Sequence, residues 1–172
     1  MIQLYTGEGK GKTTAAIGQA VRAAGSGWRV LFAQFMKGND TGELRALELL
    51  PLVTICRSSR RFGFYNTLTD EEKGELTAIH NGILDRLLKE AGEQTCDMII
   101  LDEITYPVKW KLLDEEKLRR LLQYGAEGKF ELVMTGRDPA GFLQDCADYI
   151  TCMQCVRHPY QRGVAARKGI EY

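Results

Sequence analysis

The chain has 172 residues, of which 44% are hydrophobic, and its 23 Lys and Arg residues balance 23 Asp and Glu residues. This length and composition predict a single globular domain over residues 1–172 that buries most of its apolar surface. Zero net charge disfavours binding to nucleic acid or anionic membranes through an overall positive field. The apolar runs are too short for a membrane span or a signal peptide, so we expect a cytoplasmic protein.

Apolar β-rich runs alternate with amphipathic stretches, a pattern that is typical of βαβ units with helices on both faces of a mostly parallel sheet. The predicted strands cover residues 2–5, 29–35, 52–56, 98–101, 130–135 and 149–153, and the predicted helices cover residues 12–24, 42–50, 70–91, 114–124 and 139–147. The third helix is the clearest, because Thr69 and Glu72 have capping-box spacing ahead of apolar residues at helical spacing. The sequence therefore predicts an α/β fold with a six-stranded sheet.

A glycine-rich segment between the first predicted strand and helix has the composition of a phosphate-binding loop. Its glycines let the backbone turn N–H groups toward phosphate oxygens, while Lys12 adds a positive charge and Thr13 a hydroxyl ligand for magnesium. Thr6 occupies the place of the first glycine in the strict Walker A pattern. A merely flexible loop would not usually lie between two regular elements. The predicted nucleotide-binding residues here are Gly7, Glu8, Gly9, Lys10, Gly11, Lys12, Thr13 and Thr14.

Polar and charged residues follow several predicted strands, at the edge where parallel sheets bind ligands. Asp102 and Glu103 end the fourth strand, where they would hold Mg²⁺ directly or through water, or simply cap a helix. Lys37 and Arg137 follow the second and fifth strands, where each either neutralises phosphate oxygens of the nucleotide or stays solvated. With the glycine loop, this arrangement predicts a P-loop NTPase-like, RecA-like fold.

The predicted loop 57–66 combines three arginines with three aromatic residues. Two interpretations stay open for it. The loop binds an anionic, flat or stacked partner through guanidinium groups and ring faces, or it is a mobile, solvated loop whose rings fold back on the sheet.

The remaining cysteines and histidines do not form a recognisable catalytic or metal-binding pattern. Cys152 and Cys155 have redox or zinc spacing but lack a second pair, so we expect a structural role. His80 and His158 are far apart, and we expect His80 to be a partly exposed helix residue and Arg22 a surface residue. We expect free thiols in a reducing compartment for all the cysteines: Cys56, Cys96, Cys146, Cys152 and Cys155.

Several segments together resemble one family, the ATP:corrinoid adenosyltransferases of the P-loop type, which act on cob(I)alamin or cob(I)yrinic acid a,c-diamide. The similar segments are residues 6–16, 34–38, 101–106, 135–137 and 158–172. The displaced glycine of the phosphate loop is itself a feature of this family.

The resemblance implies that the reduced Co(I) of a corrinoid attacks the 5′ carbon of ATP, forms a cobalt–carbon bond and expels inorganic triphosphate. No protein nucleophile is then required. ATP would be the co-substrate and Mg²⁺ or Mn²⁺ the cofactor, with Lys12 and Glu103 as catalytic residues and Thr13, Asp102 and Glu103 as metal ligands. The resemblance also implies a homodimer and a flavoprotein reductant.

Gly63 and Phe64 match a family step at which aromatic residues exclude the lower axial ligand of the corrinoid, so Phe64 and Tyr65 would be corrinoid-binding residues. In the better-known members a tryptophan follows two residues after the phenylalanine, whereas this chain has Asn66 there. The N-terminal arm that covers the corrinoid in some relatives is also not expected here. These departures leave the capping of the corrinoid, and the preferred corrinoid, open.

Two other functions are compatible with the glycine loop alone. A P-loop kinase or NTPase would use the loop to aid attack at the γ-phosphate of ATP. A non-catalytic nucleotide-dependent switch or a DNA-associated RecA-like ATPase would need no corrinoid, although the balanced charge disfavours DNA binding. The products discriminate, because only the adenosyltransferase releases triphosphate.

Overall fold

The computed structural model describes residues 1–38 and 41–171. Tyr172, at the end of the last segment that resembles the adenosyltransferases, lies outside the described residues. Six strands form one sheet in the order β3-β2-β4-β5-β1-β6, and all neighbouring strands are parallel. The strands are β1 (Ile2–Thr6), β2 (Val30–Gln34), β3 (Val53–Cys56), β4 (Met98–Asp102), β5 (Glu131–Thr135) and β6 (Tyr149–Cys152). The predicted six-stranded parallel α/β fold, of the P-loop NTPase-like kind, is confirmed.

The helices are α1 (Lys12–Gly25), α2 (Gly42–Leu47), α3 (Asp70–Gly92), α4 (Thr105–Lys109), α5 (Glu115–Ala126) and α6 (Gly141–Asp145), with 3₁₀ turns at Tyr65–Thr67 and Pro159–Arg162. All five predicted helices are present, although α2 and α6 are shorter than predicted. The short α4 was not predicted. Pro107 in its first turn was the available signal, since a helix does not need the N–H of that position. No helix in the described ranges is long and apolar enough to cross a membrane.

Helices cover both faces of the sheet because its central strands are apolar on both sides. Every residue of β2 and of β4 is buried. One apolar cluster joins the sheet to α3 and α5, and a second joins the opposite face to α1. The predicted capping box starts α3, where the Glu72 N–H donates to the Thr69 Oγ1 at 3.2 Å and the Thr69 N–H donates to the Glu72 carboxylate at 2.8 Å.

The strand order brings the predicted functional residues to one edge of the sheet. β5 lies between β1, which leads into the glycine loop, and β4, which ends at Asp102. Gly11 caps the start of α1 with a φ of 118°, a left-handed conformation that costs glycine little. This turn points the N-terminus of α1 at the carboxyl ends of β4 and β5, where an anion is favoured.

Candidate nucleotide-binding site

Lys12 lies at the centre of the glycine loop and is nearly buried. Its ammonium group donates to the carbonyl oxygens of Gly7 at 2.7 Å and Gly9 at 2.8 Å. Burial lowers the pKa of Lys12, as does the nearby Arg137, while the carboxylate of Glu103 partly offsets both effects. The loop thus holds a cation in a position where phosphate oxygens can replace the loop carbonyls as its partners.

Two glycines of the loop, Gly7 and Gly9, are required by packing, and Gly7 is also required by its φ of 99°. The Gly9 N–H donates to the Met153 carbonyl at 2.6 Å. A Cβ atom on Gly7 would lie 2.5 Å from the Met153 carbonyl oxygen, and a Cβ atom on Gly9 would lie 2.7 Å from it. The chain leaving β6 therefore passes directly behind the phosphate loop. Sequence reasoning assigned these glycines to phosphate contact and did not predict this packing.

Asp102 is completely buried, and four side chains of the site donate hydrogen bonds to its carboxylate. Its Oδ1 accepts hydrogen bonds from the hydroxyls of Thr13 and Thr135, both at 2.8 Å. Its Oδ2 accepts from the Lys37 ammonium at 2.8 Å and from the Gln34 amide at 3.4 Å. The carboxylate therefore links the start of α1 to the ends of β2 and β5. Sequence reasoning did not assign a role to Gln34 or to Thr135, although both end a strand at the ligand edge.

Lys37 contacts a carboxylate in this structure, rather than standing free in solvent. Burial lowers the pKa of Lys37, but the charge and the hydrogen bond of Asp102, with help from Glu103, more than offset it and raise the pKa overall. Lys37 therefore stays protonated. Its Nζ also lies 3.4 Å from the Thr13 hydroxyl oxygen, so this cation is beside both the loop and the acidic pair.

His80 supports the segment that carries Lys37, and its predicted partial exposure is wrong. The residue is only 1% exposed, because its ring packs against Phe35 and fills the space beneath the end of β2. Its Nδ1 lies 2.8 Å from the Leu112 carbonyl, which only an N–H can satisfy, so Nε2 accepts the Met36 N–H at 3.4 Å. Burial lowers the pKa of His80, which favours this neutral form. Met36 itself has a φ of 59°, and this turn directs the next residue toward Asp102.

Glu103 is a mostly buried carboxylate on a strained turn. Its φ is 62°, and its N–H donates to the Thr135 hydroxyl at 3.0 Å. Its Oε2 is buried and has no hydrogen-bond partner among the described residues. Burial raises the pKa of Glu103, and the charge of Asp102 raises it further, while Lys37 and Lys12 lower it. An unpartnered buried carboxylate oxygen beside a hydroxyl and a second carboxylate is a donor set for a hard cation.

The raised pKa of Glu103 predicts a stability change in the variant Glu103→Gln. The pKa of such a carboxyl is higher in the folded protein than in the unfolded chain. Its contribution to stability is present below the pKa of the unfolded chain and is lost as the pH rises through the pKa of the folded protein. At pH 8 the ionised Glu103 therefore opposes folding, and we expect Glu103→Gln to be more stable by about 0.5–2 kcal/mol. The difference should shrink toward pH 4. Urea unfolding of the nucleotide-free protein at both pH values measures it.

The matched control is Glu116→Gln, which changes an exposed glutamate that the first turn of α5 favours. This control should show no gain at pH 8. Equal stability of Glu103→Gln and the unsubstituted protein at pH 8, or a gain that is the same at pH 4, would contradict the prediction.

An open cleft of about 760 Å³ lies over the glycine loop and the acidic pair, within the usual range for small-molecule sites. Its lining includes most of the predicted nucleotide-binding residues, namely Gly9, Lys10, Gly11, Lys12, Thr13, Thr14, Lys37 and Arg137, together with Glu103. Gly7 and Glu8 do not line it. Glu8 instead forms an ion pair with Arg137 at 3.2 Å near the rim. Sequence reasoning did not place Tyr106, His158 or residues 169–171 in this cleft, although they line it too.

The predicted corrinoid-binding residues lie outside this lining, and each has a different environment. Phe64 is 89% exposed. The Tyr65 ring stacks on Trp110 with 4.4 Å between centroids, and Trp110 stacks on Tyr106 at 5.1 Å. The three stacked rings connect the loop that carries Phe64 to the cleft. Trp110 therefore supplies an indole close to this loop, although Asn66 stands where better-known members of the resembled family have one.

The other minor predictions are partly tested. Arg22 is on the surface, as expected. All five cysteines are free thiols, and Cys152 and Cys155 are exposed on either side of the segment that packs behind the glycine loop. In the described part of the chain, no group of three or more His, Cys, Asp or Glu side chains is arranged to hold a metal ion on its own. Any metal at the acidic pair would need ligands from a substrate or water.

Comparison with known proteins identifies one family. The family model described as ATP:corrinoid adenosyltransferase BtuR/CobO/CobP matches residues 1–172. The chain is 33% identical to corrinoid adenosyltransferase CobA of Salmonella typhimurium and 32% identical to the corrinoid adenosyltransferase of Escherichia coli, covering all of this chain and 85% of each relative. A corrinoid adenosyltransferase of a Sinorhizobium species is 27% identical over all of this chain and 80% of its own length.

Proposed function

Because this chain belongs to the ATP:corrinoid adenosyltransferase family, we propose that its reaction takes place in the cleft over the glycine loop. The reaction transfers the 5′-deoxyadenosyl group of ATP to the Co(I) centre of a corrinoid and releases triphosphate. The observation that carries this proposal is the convergence of Lys12, Thr13, Lys37 and Asp102 beneath that cleft. Catalysis then depends on the positive charges of the site and on the positions in which it holds the substrates.

The triphosphate tail of ATP is the leaving group, so the site must stabilise the negative charge that it gains. Lys12 exchanges its bonds to the loop carbonyls for bonds to phosphate oxygens, and the N-terminus of α1 adds its dipole. Arg137 lines the cleft, and its exposed ion pair with Glu8 is weak, so its guanidinium can exchange Glu8 for the outer phosphates. Preorganised cations of this kind lower the barrier without themselves reacting.

The bond changes need no nucleophile from the protein. The electron pair of the Co(I) centre, which belongs to the corrinoid substrate, forms the bond to the 5′ carbon of ATP. The bond from that carbon to the phosphate oxygen breaks, and its electrons leave on the triphosphate. The protein positions the two substrates for this displacement.

Mg²⁺ fits the oxygen donors of this site. The Thr13 hydroxyl, the Asp102 carboxylate and the unpartnered Oε2 of Glu103 are the hard ligands that Mg²⁺ prefers, and Mn²⁺ accepts the same set. When bound, the ion neutralises part of the triphosphate charge. The Lys37 ammonium lies 2.8 Å from the Asp102 carboxylate, so a cation stands directly beside these ligands.

We propose that Phe64 lies against the corrinoid and excludes its lower axial ligand. Its ring is 89% exposed, and the stacked rings of Tyr65, Trp110 and Tyr106 connect its loop to the cleft. We expect Phe64→Ala to keep ATP binding but to slow the reduction of the Co(II) corrinoid about tenfold or more, because burying a phenyl ring is worth about 1.5–3 kcal/mol. Stopped-flow absorbance with a chemical reductant measures the reduction rate, and equilibrium dialysis measures ATP binding.

Leu49→Ala is the control for Phe64→Ala, because Leu49 is also highly exposed but lies after α2, away from this loop. It should leave both measurements unchanged. An unchanged Co(II) reduction rate in Phe64→Ala would remove the role assigned to the ring.

We further propose a cytoplasmic homodimer that receives electrons from a flavoprotein. The family resemblance supports the dimer and the reductant, and five free thiols fit a reducing compartment. Sedimentation equilibrium at micromolar protein tests the dimer, which a monomer at every concentration would refute.

One experiment tests the assignment as a whole. Purified protein, ATP, Mg²⁺ and a chemically reduced corrinoid should give inorganic triphosphate and a corrinoid whose visible spectrum changes on illumination, as the cobalt–carbon bond breaks. Formation of ADP and phosphate alone would assign the protein to the kinases or NTPases instead.

A further inference from the structure

The arginine loop, residues 57–64, is a local concentration of positive charge in a chain with no net charge. It contains three arginines and no acidic residue. The nucleotide site does not use this charge, because the loop's arginines do not line the cleft over the glycine loop. We propose that Arg60 and Arg61 bind carboxylate side chains on the rim of the corrinoid ring, so that the enzyme prefers a corrinoid with free peripheral carboxylates to a fully amidated one.

The proposal rests on the proposed function of Phe64, and the first observation behind it is the position of the loop. A Cβ atom on Gly38 would lie 2.0 Å from the Arg60 carbonyl oxygen, so the loop backbone packs tightly on the residue that follows Lys37. Lys37 in turn bonds Asp102 at the floor of the nucleotide site. The arginine loop is therefore fixed directly beside the proposed nucleotide site.

The loop is also anchored from within by its own aromatic residue. Phe62 packs with Met36, Tyr65 and Trp110 against a small apolar cluster. The Arg57 guanidinium also holds the loop to this segment, because it donates to the Lys37 carbonyl at 3.4 Å. These contacts hold the loop in place and leave Arg60 and Arg61 on its outer surface.

The two outer arginines have charge to offer a ligand. Arg61 is exposed and has no bonding partner among the described residues. Arg60 forms an ion pair with Glu75 at 3.1 Å, and its guanidinium lies 5.5 Å from the Phe62 ring centroid. Both partners of this ion pair are substantially exposed, so the pair is weak and a ligand carboxylate can replace it.

A corrinoid matches this surface chemically. Its macrocycle is broad and largely apolar, and its rim carries short acid chains that are either free carboxylates or amides. With the macrocycle against Phe64, the rim comes within reach of guanidinium groups a few residues away in the same loop. A guanidinium binds a carboxylate through two charge-assisted hydrogen bonds, whereas a neutral amide offers it one uncharged acceptor. The loop therefore selects for the acid form.

The test compares two Co(II) corrinoids that both lack the nucleotide tail, cobyrinic acid a,c-diamide with free carboxylates and the fully amidated cobinamide. Spectral titration with ATP present gives Kd, and turnover with a chemical reductant gives kcat and KM. We expect the unsubstituted protein to bind the acid about tenfold more tightly at low salt, and the preference to weaken as salt is added.

The double variant Arg60→Gln and Arg61→Gln should lose this preference by raising KM for the acid, with kcat and the KM for cobinamide unchanged. Arg22→Gln is a control for the loss of an exposed positive charge elsewhere, near the end of α1, and should keep the preference. Equal thermal unfolding of all variants excludes a folding defect.

Two outcomes would overturn the inference: no preference in the unsubstituted protein, or a preference that survives the double variant. These outcomes are distinct from failure of the proposed function. If neither corrinoid is adenosylated, the proposed function fails, whereas equal adenosylation of both refutes only the carboxylate preference.

Discussion

Replacement of Lys12 by alanine should cost about 2–4 kcal/mol of transition-state stabilisation, a fall in kcat/KM of roughly 30- to 1,000-fold. Lys12 is the nearly buried cation at the centre of the glycine loop, and its ammonium is already held at 2.7 and 2.8 Å from two loop carbonyls. The substitution therefore removes a preorganised charge from the point where the triphosphate leaves. Steady-state release of triphosphate, measured over a range of ATP concentrations, gives the change.

Lys89→Ala is the control for this variant. Lys89 is an exposed lysine in the last turn of α3, which leads to the amino end of β4, whereas the site lies at the carboxyl ends of the strands. Its loss should therefore leave kcat/KM unchanged. A Lys12→Ala enzyme within threefold of normal activity would mean that the loop binds the triphosphate through its backbone alone.

Replacement of Asp102 by asparagine should reduce both activity and stability. One oxygen of the buried carboxylate accepts from two threonine hydroxyls, and the other accepts from Lys37 and Gln34. An asparagine that keeps the first pair of bonds points its NH₂ group at the Lys37 and Gln34 donors. Lys37 then loses its hydrogen-bonded carboxylate and keeps only the more distant Glu103 at 3.9 Å. We expect a loss of about 2–3 kcal/mol in the free energy of unfolding, smaller than for a fully buried pair because Lys37 is partly exposed.

Urea unfolding without nucleotide measures this loss, and the triphosphate assay should show activity falling at least as far as in Lys12→Ala. Asp97→Asn is a matched control on the same segment of chain, because Asp97 precedes β4 and pairs with Arg29 in solvent. An exposed pair of this kind is worth about 0.2–1 kcal/mol. Equal stability of Asp102→Asn and Asp97→Asn would show that the buried ion pair does not stabilise the fold.

The two large effects concern residues that sequence reasoning selected, but for partly different reasons. The loop motif alone identified Lys12, because a glycine-rich turn before a helix has few other uses. Asp102 was identified as a possible metal ligand at a strand end. Its bonds to Thr135 and Gln34 could not be predicted, since they depend on which strands are neighbours.

The further residues of the site show the same division. Tyr106, His158 and residues 169–171 line the cleft because α4 and the C-terminal segment return to it, and no local pattern in these segments indicates where they lie in space. From the sequence pattern alone, His80 is one polar residue among others on an amphipathic helix. Only its packing beneath β2 and its bond to Leu112 explain why it is buried.

The alternation of strands and helices, the capping box of α3 and the phosphate loop follow from the sequence by itself, because each depends on backbone preferences and side-chain spacing among residues close in the chain. The pairing of Lys37 with Asp102, the burial of His80 and the packing of Gly7 and Gly9 against Met153 were decided by the tertiary structure. These contacts join segments far apart in the chain. Their geometry depends on the strand order that places β5 between β1 and β4 and β6 beside β1, which nearest-neighbour preferences do not specify.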